Sequence, residues 1–187
     1  MEPALRRRGR LPRRRGSLFV LALIALVSLM AGIPYAIASK DARRPAQDTQ
    51  LIRLTLPGNA SLESLERARV EKIIDGDTID IALGGKTVRV RYYGVDTPER
   101  GDKCFRDAAD RNESLVGKEV LLLPDARDQD RFGRLLRYIF LLDGTSVDAT
   151  LVAEGFGRAW TEDGRYKAEI IALESQAEVE GRGCLWR

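Results

Sequence analysis

Hydrophobic positions change their spacing several times along the 187 residues of this chain. The first apolar block is unbroken: it runs from Leu18 to about Ala31 and is followed by Gly32, Pro34 and the small-residue pattern Ala36-Ile37-Ala38. Ahead of it stands the basic run RRRGRLPRRRG. A basic start, an apolar middle and an A-x-A ending have the form of a signal peptide. Counted through Ala38, the uncharged stretch also reaches the roughly 20 residues a membrane-spanning helix needs, which would leave the arginines on the cytoplasmic side. Residues 1–38 are therefore expected to be a signal peptide or a transmembrane anchor, and either would export the domain behind it. Residues 39–65 sustain no period and read as a polar linker, so the folded domain is expected over 66–187.

Within that domain the period shortens to two. Alternating runs rich in Val and Ile predict strands over about Arg69 to Ile74, Thr78 to Leu83 and Lys86 to Val95, with Gly84-Gly85 as a hairpin turn between the last two. Further strands fit Glu119 to Leu123 and Leu135 to Leu142. Helical spacing appears between and after them. Phe105, Ala108, Ala109, Leu115 and Val116 fall on one face ahead of Gly117. Two more helices fit Val147 to Glu154, with Ser146 as N-cap, and about Tyr166 to Glu180, stopped by Gly181. Five strands, the first three in a meander, with three helices predict an α+β domain built on a small closed or nearly closed barrel.

Charge alters the picture less than the pI of about 9.0 suggests. Residues 1–16 hold seven arginines and one glutamate, hence +6, while 17–38 are uncharged. The whole chain is +3, so residues 39–187 carry −3, and any phosphate contact must come from a local constellation. Histidine is absent, which removes Ser-His-Asp and Cys-His nucleophiles and imidazole acid/base chemistry together. Catalysis must then run on carboxylates, Arg, Lys, Tyr or a hard metal. The two cysteines, Cys104 and Cys184, show no zinc-ligand spacing. A single disulfide is expected in an oxidising compartment, two free buried thiols being the other reading.

Three segments concentrate acids and bases where strands should end: Asp75-Gly76-Asp77-Thr78, Arg91 to Glu99, and Asp130-Arg131-Phe132-Gly133-Arg134. Each has a structural explanation by itself. Asp-Gly-Asp makes ordinary turns, Asp96-Thr97-Pro98-Glu99 could simply start a helix, and Arg91 and Arg134 could form surface pairs of little consequence.

Taken in order, I-D-G-D-T, R-x-x-x-V-D-T-P-E and D-x-(aromatic)-G-R-x-L-x-Y, at Ile74–Thr78, Arg91–Glu99 and Asp130–Tyr138, the segments resemble the staphylococcal nuclease family. The likeness covers about residues 68–187. It implies an OB-type five-stranded barrel with three helices, and a calcium ion held by Asp77, Asp96 and the Thr97 carbonyl. Oxygen ligands of that kind suit a hard cation. Asp75 would form the turn or sit behind the ligands. It further implies phosphate binding by Arg91 and Arg134, whose guanidinium groups are always charged and can donate two parallel bonds. Glu99 would act as general base toward the attacking water. The implied reaction is hydrolysis of DNA or RNA to 5′-hydroxyl and 3′-phosphate ends, with bases stacked on Phe132 and Tyr166. This chain carries Phe132 where the staphylococcal enzyme has tyrosine, and its segment after Glu99 is shorter and includes Cys104. A monomer is expected, with no protein partner evident. The competing readings are a nucleic-acid-binding barrel without catalysis, and an envelope interaction domain on a membrane anchor.

Overall fold

The period-two alternation closes into a barrel. In the computed structural model, which describes residues 51–187, strand β2 (Thr78–Leu83) buries Ile79 and Ile81 and turns Asp80 outward. Strand β3 (Lys86–Tyr92) buries Val90 and Tyr92 while Arg89 faces water and pairs with Asp80 at 2.8 Å. These strands join through Gly84 and Gly85, whose φ values of 56° and 77° are those of a two-residue hairpin turn. With β1 (Glu66–Ile73), β5 (Glu119–Leu123) and β6 (Leu135–Phe140) the order is β1-β2-β3-β6-β5, closed by β5 on β1. All pairings are antiparallel except β3 with β6. Three helices pack around it: α1 (Phe105–Leu115), α2 (Val147–Ala153) and α3 (Lys167–Val179). Family and fold expectation agree here: a five-stranded barrel with three helices is what the resemblance implied.

Two expectations need correction. The strand read as Lys86 to Val95 breaks at Tyr93-Gly94, and Val95–Asp96 forms a separate short strand, β4, paired with β7 (Arg158–Ala159). The break has a cause in α2. Asp148, fully buried, accepts hydrogen bonds from Gly94 N at 2.8 Å and from Ile139 N at 2.9 Å, so a carboxylate replaces the ladder partner at that point. Side-chain space is also denied, because a Cβ on Gly94 would lie 2.5 Å from Ile170 Cδ1.

The polar linker placed at 39–65 also ends earlier than expected. Ile52, Leu54 and Leu56 pack on the core in alternation, and Ser146 N donates to the Ile52 carbonyl at 2.7 Å. The domain therefore includes residues from about 52. The leader assigned to 1–38, and the linker as far as residue 50, lie outside the described residues. Among the described residues no helix is long and apolar enough to cross a membrane.

Burial pushes the Asp148 carboxyl up to about 6, outweighing the backbone N–H groups that favour its charged form. Because the folded group keeps its proton in a range where the unfolded one has lost it, stability contributed below pH 4 is lost as pH rises toward 6. A shift of that size corresponds to on the order of 2 to 3 kcal/mol. The expected result is that the stability margin of the native chain over Asp148→Asn, from urea titrations, narrows by that amount between pH 4 and pH 7. A margin independent of pH would show that Asp148 stays ionised throughout.

Candidate nucleic-acid hydrolysis site

The turn after β1 forms the floor of the site. Asp75 Oδ1 accepts from Asp77 N at 3.1 Å, closing the turn. Gly76 is required by packing, since a Cβ there would lie 2.7 Å from Thr97 Oγ1 and 2.8 Å from the Ala108 Cβ. That close approach brings Thr97 onto Asp77: Thr97 N and Oγ1 both donate to Asp77 Oδ2, at 2.6 and 2.7 Å. Behind the turn, Asn112 of α1 donates to the Asp75 carbonyl and accepts from the Tyr92 hydroxyl, both at 2.9 Å. Burial, and then the charge of Asp77, pushes the Asp75 carboxyl above its ordinary value.

Arg91, at the end of β3, joins the two aspartates expected to hold metal. Its Nε lies 3.1 Å from Asp77 Oδ1 and its Nη2 lies 2.6 Å from Asp96 Oδ1. Nη1 donates to the carbonyls of Tyr92 and Val95, so three guanidinium N–H groups are hydrogen-bonded to the protein and the Nε edge makes an ion pair with Asp77. The Thr97 carbonyl, by contrast, takes no backbone hydrogen bond among the described residues. Two carboxylates joined by one guanidinium edge and a spare carbonyl one residue on are oxygen donors of the kind a hard divalent cation takes. Among the described residues, the cluster of Cys104, Asp107 and Cys184 offers no metal site because both sulfurs are committed to a disulfide.

Arg134 sits across from Arg91 on the loop before β6. Asp130 fixes it through Nε at 2.6 Å, and Asp130 Oδ1 also takes the backbone N–H groups of Phe132 and Arg134. Burial would raise the Asp130 carboxyl, but the bonds from Arg134 hold it below its ordinary value. Among the described residues Nη1 and Nη2 of Arg134 have no hydrogen-bond partner, which leaves four N–H groups free in a side chain that lines the cavity. A cavity of about 350 Å³ is lined by Arg91, Asp96, Glu99, Arg134, Phe132 and Trp160, among others. Two of the three sequence-distant motifs thus line one cavity, and Asp77 of the remaining one is tied to it through Arg91.

The aromatic residues divide differently from the expectation. Phe132 is 69% exposed, with the Arg131 and Arg134 guanidinium carbons 4.8 and 5.6 Å from its ring centroid. Tyr166 is not available for stacking: it is 5% exposed, its ring packs edge-on against Tyr138, and its hydroxyl donates to the Thr55 carbonyl at 2.8 Å. Trp160 lines the cavity instead. Asp163 holds it there, accepting from Trp160 Nε1 at 2.8 Å, from Nε and Nη2 of Arg127 and from the Tyr93 hydroxyl. Trp160 had no spacing or motif to single it out, because its role depends on a chain reversal after β7.

A family model described as "Staphylococcal nuclease homologue" matches residues 89–187. The chain belongs to that family. An uncharacterized endonuclease of Escherichia coli is 35% identical to it over 121 residues, covering 63% of this chain and 75% of that protein. The thermonuclease of Staphylococcus intermedius is 34% identical over 118 residues, covering 59% and 70%. Endonuclease YncB of Bacillus subtilis (strain 168) is 39% identical over 110 residues. This nuclease-family chain spans about half of that protein's length, 52%.

Proposed function

We propose that the chain is a calcium-dependent phosphodiesterase that hydrolyses DNA or RNA and leaves 5′-hydroxyl and 3′-phosphate ends. The observation that carries this reading is the shared cavity, where Arg91, Glu99 and Arg134 face one volume beside the Asp77–Asp96 pair. Relatives named as endonucleases and a thermonuclease support it.

Arg134 binds the scissile phosphate through its free N–H groups and stabilises charge that builds on the equatorial oxygens. Arg91 does the same with the donors it has left while holding both aspartates in place. Glu99, exposed at the cavity rim, takes the proton of the attacking water. Calcium on Asp77, Asp96 and the Thr97 carbonyl would supply a fixed positive charge that polarises a phosphate oxygen. Phe132 and Trp160 offer ring faces to unstacked bases, a sequence-tolerant contact. Action outside the cytoplasm accords with the Cys104–Cys184 disulfide, since such bonds persist in oxidising compartments.

The test is cleavage of single-stranded DNA, double-stranded DNA and RNA by the full chain, with calcium or with chelator, beside Glu99→Gln. Calcium-dependent cleavage that falls by about 10²-fold or more in Glu99→Gln is expected. Binding without cleavage under every condition would overturn the reading in favour of a non-catalytic barrel.

A further inference from the structure

Glu99 stands on a segment with little to hold it. Thr97 is buried and tied to Asp77, and Cys104 is buried at the start of α1, but of residues 98–103 between them Pro98 is half-buried and the rest are exposed. Within the segment the Asp102 N–H donates to the Glu99 carbonyl at 3.0 Å, a local turn that gives no anchorage to the barrel. At the far end the segment runs into α1, held to the barrel by buried Ala108 and Asn112, and Cys104 itself is bonded to Cys184, 80 residues away.

Cys184 belongs to a C-terminal tail that is itself well docked. Leu185 N donates to the Gly155 carbonyl at 3.2 Å, Arg182 Nη1 donates to the Ala153 carbonyl at 2.9 Å, and the Trp186 ring lies 4.7 Å from the Arg158 guanidinium carbon. Gly183 approaches Gly155 so closely that a Cβ would meet its carbonyl at 2.2 Å. Arg158 is in β7, the partner of β4, which carries Asp96. The tail is therefore fixed to the strand pair that positions one metal-ligand candidate. Between the Glu99 segment and the tail, however, lies a cavity of about 330 Å³, lined by Asp96, Glu99, Lys103, Arg158 and Leu185. The two pieces of chain do not pack tightly face to face. Beyond the disulfide, the polar link between them is Lys103 Nζ to the Arg187 carbonyl at 3.4 Å, on the surface.

We infer that the Cys104–Cys184 disulfide positions Glu99 against the reacting phosphate, so that a dithiol which reduces it lowers turnover while the barrel stays folded. The inference rests on the nuclease reading above. Cys104 and Cys184 touch neither substrate nor water in the reaction; they act through the segment between Thr97 and Cys104. The redox step is ordinary thiol–disulfide exchange. One thiolate of the dithiol attacks a protein sulfur to form a mixed disulfide, its second thiolate closes the reagent's own disulfide, and both cysteines leave as thiols carrying the protons the reagent gave up. Two electrons pass from dithiol to protein. Loosened at one end, the Glu99 segment samples positions in which its carboxylate misses the attacking water, and misplacement by about 1 Å is enough to cost on the order of 100-fold.

The experiment measures kcat and KM of the full chain on a single-stranded oligonucleotide with saturating calcium, before and after dithiothreitol, with circular dichroism recorded on the same samples. Expected is a fall in kcat on the order of 10- to 100-fold, with KM little changed and the spectrum retained. Cys104→Gly/Cys184→Ala should behave as the reduced protein and be indifferent to dithiothreitol. In a Glu99→Gln background, reduction should add little, because the group it displaces is already disabled. Reduced protein that is folded and fully active overturns the inference and leaves the nuclease reading standing. So does an equal fold-loss in the Glu99→Gln background, which would mean the bond acts elsewhere. If reduction unfolds the chain at every temperature at which it cleaves, the bond is a structural staple and the inference fails. An oxidised chain that cleaves nothing overturns both readings together.

Discussion

Arg134→Ala should lower turnover by about 10²- to 10³-fold, the usual cost of removing one well-aimed donor from a charge-stabilising site. The folded state should barely change, because Arg134 is half-buried and its single side-chain bond, Nε to Asp130, joins two residues of one loop. Two effects act in the same direction. The four free N–H groups are lost, and the Asp130 carboxylate that Nε balanced is left facing an incoming phosphate. Arg134→Lys restores the charge but not the paired donors, so an intermediate rate is expected. Arg91 makes the informative contrast. Its guanidinium holds Asp77, Asp96 and two backbone carbonyls, so Arg91→Lys should lower both the rate and the melting temperature. Kinetics and thermal melts on the same three variants check this. An Arg134→Ala enzyme with native kcat/KM would remove Arg134 from the reaction.

The largest expected effect on stability belongs to the disulfide. Cys104→Ala/Cys184→Ala opens a loop of about 80 residues, and the chain-entropy argument assigns its closure about 4 kcal/mol. Cys104 adds a local feature. Its φ is 75°, and among the described residues it is the one non-glycine with positive φ, in a left-handed region that costs an L-residue about 1 to 2 kcal/mol. The cross-link holds the residue there. Cys104→Gly/Cys184→Ala should therefore be more stable than the alanine pair by roughly 1 kcal/mol, since glycine meets no such penalty. Urea titrations of both double variants decide it. Equal losses would mean that residue 104 relaxes out of the left-handed region once the bond is gone.

Tyr166 and Trp160 show where sequence reading falls short at this site. Both are aromatic residues near the start of the last helix, and nothing in local spacing distinguishes them. Packing does: Tyr166 is driven into the core between Tyr138 and Phe140, while Trp160 is held at the cavity by Asp163 and Arg127. Asn112 is a similar case. In sequence it is a polar position on an amphipathic helix, yet the fold buries it completely between the Asp75 carbonyl and the Tyr92 hydroxyl. A satisfied buried amide of that kind is invisible until both partners are in place.

The sequence by itself determined the five barrel strands and three helices, though not the short β4–β7 pair, because period-two and helical spacing, Gly84-Gly85 and the Ser146 cap are local signals whose physics does not depend on the rest of the chain. It also singled out three motifs as candidates for the chemistry, since their residue types and order are a property of the string. Only tertiary structure decided that Arg91 spends three hydrogen bonds and an ion pair on the protein while Arg134 leaves Nη1 and Nη2 without a partner among the described residues. Only tertiary structure broke β3 at Gly94, through a carboxylate 54 residues away. Those outcomes depend on hydrogen bonds and close contacts between residues far apart in sequence, and such partners are chosen by the closed barrel and the helices packed on it, not by neighbouring residues.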